Sequence, residues 1–266
     1  MATAALPDQD RSVSIGRLLS RAFGTLGSNP VATLGIAFLF GALPSLLITY
    51  AVQTEGTEAF LALGTAAVIG ISVFSGLVAI MLAMITQGAL VRATVAYSEG
   101  GKASLGESAM AGLRVALPLF LLGLLSALGI GLAFLLLIVP GIIVYIMWSV
   151  AAPALVEERL GPIEALGRSS HLTRGARWKI FGLTLVILVL YWLFSALVAM
   201  VSMMWYGGLE AFAASGGRMP LGYLVTTSIA GTITSAVWGV IQTSLYVELR
   251  DWKDGPRTEK LADIFG

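Results

Sequence analysis

No charged residue occurs in the 42 positions from Val115 to Val156, and this run constrains the chain more than any other feature. A bilayer core about 30 Å thick is crossed by roughly 20 helical residues. The run is therefore two crossings joined by a tight turn, and Pro140-Gly141 is the turn pair inside it. A basic segment follows, from Glu157-Glu158-Arg159 to Arg177-Trp178-Lys179. The chain goes out, turns, returns and lands in positive charge.

Hydrophobic residues make up 57% of the chain and charged residues only 12%. A soluble domain carries about twice that share of charge. The expected class is all-α: a polytopic membrane helix bundle with six transmembrane helices and three short amphipathic interfacial helices. Residues 14–249 form one membrane domain, between a disordered cytoplasmic tail at 1–13 and a cytoplasmic tail at 250–266. There is no cysteine, so disulfides, thiol nucleophiles and thiolate metal sites are excluded. Asp8, Asp10, Arg11, Arg17 and Arg21 leave no apolar core near the start, which argues against a cleavable signal peptide.

Along the chain, Ile15, Leu18, Leu19, Ala22, Phe23 and Leu26 recur at helical spacing, with Arg17 and Arg21 on the other side. Such a helix lies in the interface with its arginines toward phosphates, or packs on its own bundle. The first span is Val31–Val52, with a kink near Pro44. Glu55 and Glu58 mark a turn, and one long second span follows to about Tyr97. Ser104–Ala116 is a second amphipathic helix, with Leu105, Ala109, Gly112, Leu113 and Ala116 on one face. Pro118 falls in the first turn of the third span. That span runs to Val139, and the fourth runs from Ile142 to Val156, bent near Pro153. Gly161-Pro162 starts a third interfacial helix, with Ile163 and Leu166 inward. The fifth span is Ile180–Met204. Trp205–Pro220 is a loop with turns at Gly207-Gly208 and Gly216-Gly217. The sixth span is Leu221–Val247, followed by Trp252 as an interfacial anchor. Leu261, Ile264 and Phe265 form a short amphipathic turn.

Residues 1–30, 92–115, 157–179 and 250–266 hold three, three, five and four of the 16 Lys and Arg, leaving only Arg218 for the other side. The positive-inside rule then predicts cytoplasmic termini in a bacterial inner membrane. An odd number of spans would destroy this bias. Three times the order is amphipathic helix, outward span, inward span. This is a possible threefold repeat of parallel hairpins, although any six-span chain can be cut into three hairpins.

Several residues of the central segment form a recognisable block. They are Pro140-Gly141, Trp148, Ala152-Pro153, Glu157, Gly161, Ala165-Leu166, Arg168-Ser169, Leu172-Thr173, Gly175, Trp178 and Ile180-Phe181. With the ending LYVELRDWKDGPRTEKLADIFG, the block resembles the membrane domain found with glycerophosphoryl diester phosphodiesterases and six-span bacterial membrane proteins of the YciC type. The resemblance implies an all-helical inner-membrane protein. It does not imply phosphodiesterase activity, which in the fused enzymes belongs to a separate metal-binding barrel.

No catalytic constellation stands out, and neither metal nor cofactor is expected. His171, the single histidine, lies between Arg168 and Arg174 without a base, nucleophile or ligand beside it in sequence. Glu157 is expected to pair with Arg168 or Arg174. Arg17, Arg21, Glu157, Arg168, His171, Arg174, Arg177 and Lys179 are candidates for a lipid-headgroup site or an ionic network, since each basic residue near an anionic surface contributes about 1 kcal/mol. No charged residue lies well inside any span, which argues against an ion-coupled pump. Thr227, Gly231, Thr234, Trp238 and Gln242 fall along one face of the sixth span. They line a path for a small polar solute, or they pack helices through Gly231, Ser235 and Gly239. Gly123, Ala127 and Gly131 of the third span read as packing residues.

The function that follows is lipid-associated: organising or sensing the membrane, or a scaffold for a protein partner or a second copy. The alternative is a pore or passive transporter lined by the sixth span. Anionic membrane lipids are the expected partners and nucleic acid is not.

Overall fold

A computed structural model describes residues 14–55, 63–215 and 219–255. Expectations for residues 1–13, Glu58, Gly216-Gly217, Arg218 and the turn at Leu261, Ile264 and Phe265 lie outside those residues. Every element among the described residues is helical, and six spans are long and apolar enough to cross a membrane.

Helix α1 (Ile15–Ser28) starts at Ser14, whose side chain accepts from the Arg17 amide. Asn29 closes it and opens the first span. Its side-chain oxygen accepts from the Ala32 amide at 3.3 Å, and its amide nitrogen donates to the Ala103 carbonyl at 2.8 Å. The first span joins α2 (Pro30–Ile36) to α3 (Leu43–Glu55) through a π-helical stretch, Ala37–Ala42. Pro44 has no N–H to offer Phe40, and the widened ladder just before it absorbs that loss. The expected kink is thus a π segment.

The second span is α4 (Thr65–Ser98) and the third is α5 (Leu105–Leu136). The second amphipathic helix is not a separate element: it runs without a break into the third span, so Pro118 lies inside α5. The carbonyl that Pro118 leaves without a donor is that of exposed Arg114, at the basic end where water reaches it. The buried stripe is Ser108, Gly112, Ala116 and Leu119, whereas Leu113 faces outward.

The turn between the third and fourth spans falls at Leu137, not at Pro140-Gly141. Leu137 is the single extended residue before α6 (Ile138–Met147), and Pro140 sits in that helix's first turn. Gly141 lies against the Phe134 ring, so the hairpin closes tightly. The fourth span breaks again at Trp148–Val150 and resumes as α7 (Ala151–Glu158), with Pro153 in the first turn.

Helix α8 (Pro162–Thr173) buries Ala165, Ser169, Leu172 and Thr173, while Ile163 is 75% exposed rather than inward. The fifth span is α9 (Arg177–Met204). Gly207 and Gly208 adopt positive φ and lead to a short helix, α10 (Leu209–Ala214). The sixth span, α11 (Leu221–Asp254), continues a full seven residues past its expected end at Val247.

The core lies in the half of the bundle nearest the basic segments. Leu18, Val95, Val150, Leu172, Ile180 and Tyr246 belong to one buried cluster there. The rest of α9 is nearly bare: only Ile180, Leu183 and Ser202 are buried along it.

Candidate functional site

Two arrangements of polar side chains stand out. The first is an ion-pair network around the last turns of α11. Arg17 reaches Glu248 through Nη2 at 2.7 Å and Nε at 3.0 Å, and Glu248 also accepts from the Ser14 amide at 3.0 Å. Arg21 lies 3.9 Å from Glu248 and 3.6 Å from Asp251. On the other side of α11, Arg168 binds Glu158 at 2.8 Å and also Asp254. The Tyr246 hydroxyl donates to Glu158 at 2.9 Å. The partners share helical spacing: Arg17 and Arg21 are four apart, and Glu248, Asp251 and Asp254 are three apart.

The charges inform the titration of the arginines. A hydrogen bond to Glu248, then that carboxylate's charge, holds Arg17 above its ordinary value. Burial works against charged Arg168, but hydrogen bonds to Asp254 and Glu158 outweigh it and raise its pKa. Both arginines stay cationic at any ordinary pH.

Arg168, one of the two partners expected for Glu157, pairs with the neighbouring Glu158. Glu158 is the last residue of α7 before Arg159 turns left-handed at φ 54°, and it points toward α11 and α8. Glu157, one residue back and about 100° around a helix, is half-buried near Tyr246. Arg17 and Arg21 face the carboxylates of α11, although an open hollow of about 670 Å³ lies beside them, lined also by Ser20 and Tyr97. His171, Arg174 and Lys179 are exposed, and Arg177 is half-buried. Glu248, Asp251 and Asp254, acidic centres of the network, are not among the expected site residues, because the sixth span reads as ending at Val247 and the chain from 250 as a tail. Their three-residue spacing was the available signal.

The second arrangement lies between the fifth and sixth spans. These helices join at the basic end through the core. At the other end Trp205 Nε1 donates to Thr226 at 2.9 Å and Tyr206 packs on Tyr223, ring centroids 5.5 Å apart. Between the two ties they part. A cleft of about 630 Å³ is walled by α9 and α11 alone, with Ser195, Ser202, Thr227, Gly231, Thr234 and Trp238 in its lining. Tyr191 and Trp238 remain 48% and 44% exposed on its rim, so it opens sideways. Thr227 bonds its own helix at the Tyr223 carbonyl, 2.9 Å away.

Gln242 does not line that cleft. It takes a hydrogen bond from Gln87 at 2.5 Å and gives one to the Ser149 carbonyl at 2.7 Å. Ser149 sits at the break of the fourth span, where backbone groups lose their helical partners. Ser169 completes the repair: its hydroxyl accepts from the Val150 amide at 3.2 Å and donates to the Met147 carbonyl at 2.9 Å. A broken helix at membrane depth is tolerated only with such partners.

Among the described residues no three of His, Asp and Glu are gathered to hold a metal. No protein-family model, curated protein or solved structure matches this chain.

Proposed function

We propose that the chain is an integral protein of the bacterial inner membrane, with both termini cytoplasmic, that holds lipid and so organises or senses the bilayer without a catalytic centre of its own. The lateral cleft between the fifth and sixth spans carries this reading. Its surroundings in a membrane are acyl chains, its walls are largely apolar, and its volume lies within the range of about 300–1,000 Å³ typical of ligand pockets. The placement of Lys and Arg supports the orientation. The family resemblance of the central block and the ending agrees with it.

Anionic lipid is the partner at the basic end. Trp178 is 85% exposed beside exposed Arg174 and Lys179, an aromatic anchor next to positive charge at headgroup depth. The pore reading finds less support, because both polar atoms of Gln242 are engaged within the protein.

Native mass spectrometry of protein extracted in mild detergent tests the proposal. Retained lipid is expected, including anionic phospholipid that is lost on combining Arg174→Gln with Lys179→Gln. Gly231→Leu should displace the lipid held in the cleft, since a Cβ at Gly231 meets open space. Folded protein that carries no lipid would refute the reading.

A further inference from the structure

The cleft between α9 and α11 is as long as one leaflet and stops there. Its lining runs from Met203 to Tyr191 on α9 and from Tyr223 to Trp238 on α11. At 1.5 Å per residue the α9 wall is about 18 Å long, against about 15 Å for half of the hydrocarbon core. Trp238 is the last lining residue on α11, and it stands between the cleft and a separate cavity of about 130 Å³. That cavity lies inside the bundle, walled also by Tyr145 and Trp148, and buried Leu183 and Leu245 close it.

Most of the cleft wall is apolar, and two of its hydroxyls are spent on their own helix. Thr227 donates to the Tyr223 carbonyl at 2.9 Å and Ser235 to the Thr232 carbonyl at 3.2 Å. Ser202 differs. Its hydroxyl is buried, in a residue only 3% exposed, and has no hydrogen-bond partner. Such a group is costly, so one kept in a cleft wall calls for an acceptor that docks there. None of the lining residues is Asp, Glu, Lys, Arg or His, so a neutral acceptor suits the wall better than a charged one. Ser202 also lies one turn below Trp205, whose ring N–H bonds Thr226 where an interfacial aromatic belongs. The ester carbonyls of a phospholipid sit at that depth, between headgroup and chains.

We propose that the cleft takes one acyl chain of an ester-linked lipid from the leaflet farther from the basic segments. The ester carbonyl accepts from the Ser202 hydroxyl, the chain runs down the apolar wall past Gly231, and Trp238 stops its end. The headgroup and the second chain stay in the bilayer. The inference rests on the lipid-binding reading of this cleft and adds the ligand class and the two residues that select it.

The full chain, stripped of lipid by detergent exchange, is offered equal amounts of dipalmitoyl phosphatidylcholine and its dihexadecyl ether analogue, and bound lipid is counted by native mass spectrometry. The zwitterionic headgroup keeps anion binding at the basic end out of the count, and the lipid lost in Gly231→Leu is the share held in the cleft. Ester should exceed ether by about fivefold, the worth of one hydrogen bond. Ser202→Ala should still hold lipid but take both analogues equally, a change that misfolding cannot produce. Between dipalmitoyl and diarachidoyl phosphatidylcholine the parent should favour the shorter chain, and Trp238→Ala, which joins the cleft to the lower cavity, should favour the longer. No lipid lost in Gly231→Leu would end this inference together with the lipid-binding reading of the cleft. Cleft lipid held without preference for the ester would overturn the ligand class and leave the lipid-binding reading standing. An ester preference that survives Ser202→Ala would overturn the role of Ser202, and an unchanged chain preference in Trp238→Ala would overturn the stop.

Discussion

The seam between the second and third spans and the cleft between the fifth and sixth are both antiparallel pairs rich in small residues. In the seam, Gly112 presses against the Ile85 carbonyl, and a Cβ on Gly88 would lie 2.9 Å from the Gly112 Cα. The backbones touch because each glycine faces another small surface. In the cleft, a Cβ on Gly231 would meet nothing within 4 Å. Small residues there leave space instead of closing it. Glycine permits close approach, but only the shape of the partner decides whether the approach happens.

The contrast can be broken at either side. Gly112→Val should be the most damaging change, costing about 3 kcal/mol, because its methyls meet fixed backbone rather than a side chain that can move. A denaturation series in micelles would measure it, and a loss under about 0.5 kcal/mol would mean the seam is loose. Glu248→Gln removes the carboxylate shared by Arg17 and Arg21 and should cost about 2 kcal/mol, less than a fully buried pair because Arg17 is half in solvent. The same series should show α1 loosened, with faster amide exchange at Leu18 and Ala22. Arg168→Glu should lower stability by about 1–2 kcal/mol, and Glu158→Arg beside it should restore part of that loss. No recovery would count against the pair. Gly231→Leu comes last: stability should stay within about 0.5 kcal/mol of the parent while the cleft fills. A large loss would show that the fifth span closes over this residue.

How legible these features are follows from their physics. Hydropathy and charge carry the six spans, since a bilayer punishes every exception. The turn falls at Leu137 and not at Pro140-Gly141 because Pro-Gly suits a turn but Pro also suits a helix start, and nothing local in the sequence distinguishes them. Adjacent Glu157 and Glu158 differ only in the direction they point from the end of α7. The glycines at 123 and 131 resemble packing glycines, yet both face open space, whereas Gly112 and Gly129 make the close contacts. The hydroxyls of the sixth span were visible in the chain, but the distance kept by the fifth span was not. That distance depends on ties at the two ends, near Ile180 and at Trp205.

The claim most in need of a direct test is that lipid enters between the fifth and sixth spans. The chain has no cysteine, so Ser195→Cys gives one spin label in the cleft, and Leu119→Cys gives one in the buried core as a reference. In bilayers, the label at 195 should be mobile and relaxed strongly by oxygen and by doxyl-labelled acyl chains, and the label at 119 by neither. Equal shielding at both positions would mean the two spans close on each other and leave no room for lipid.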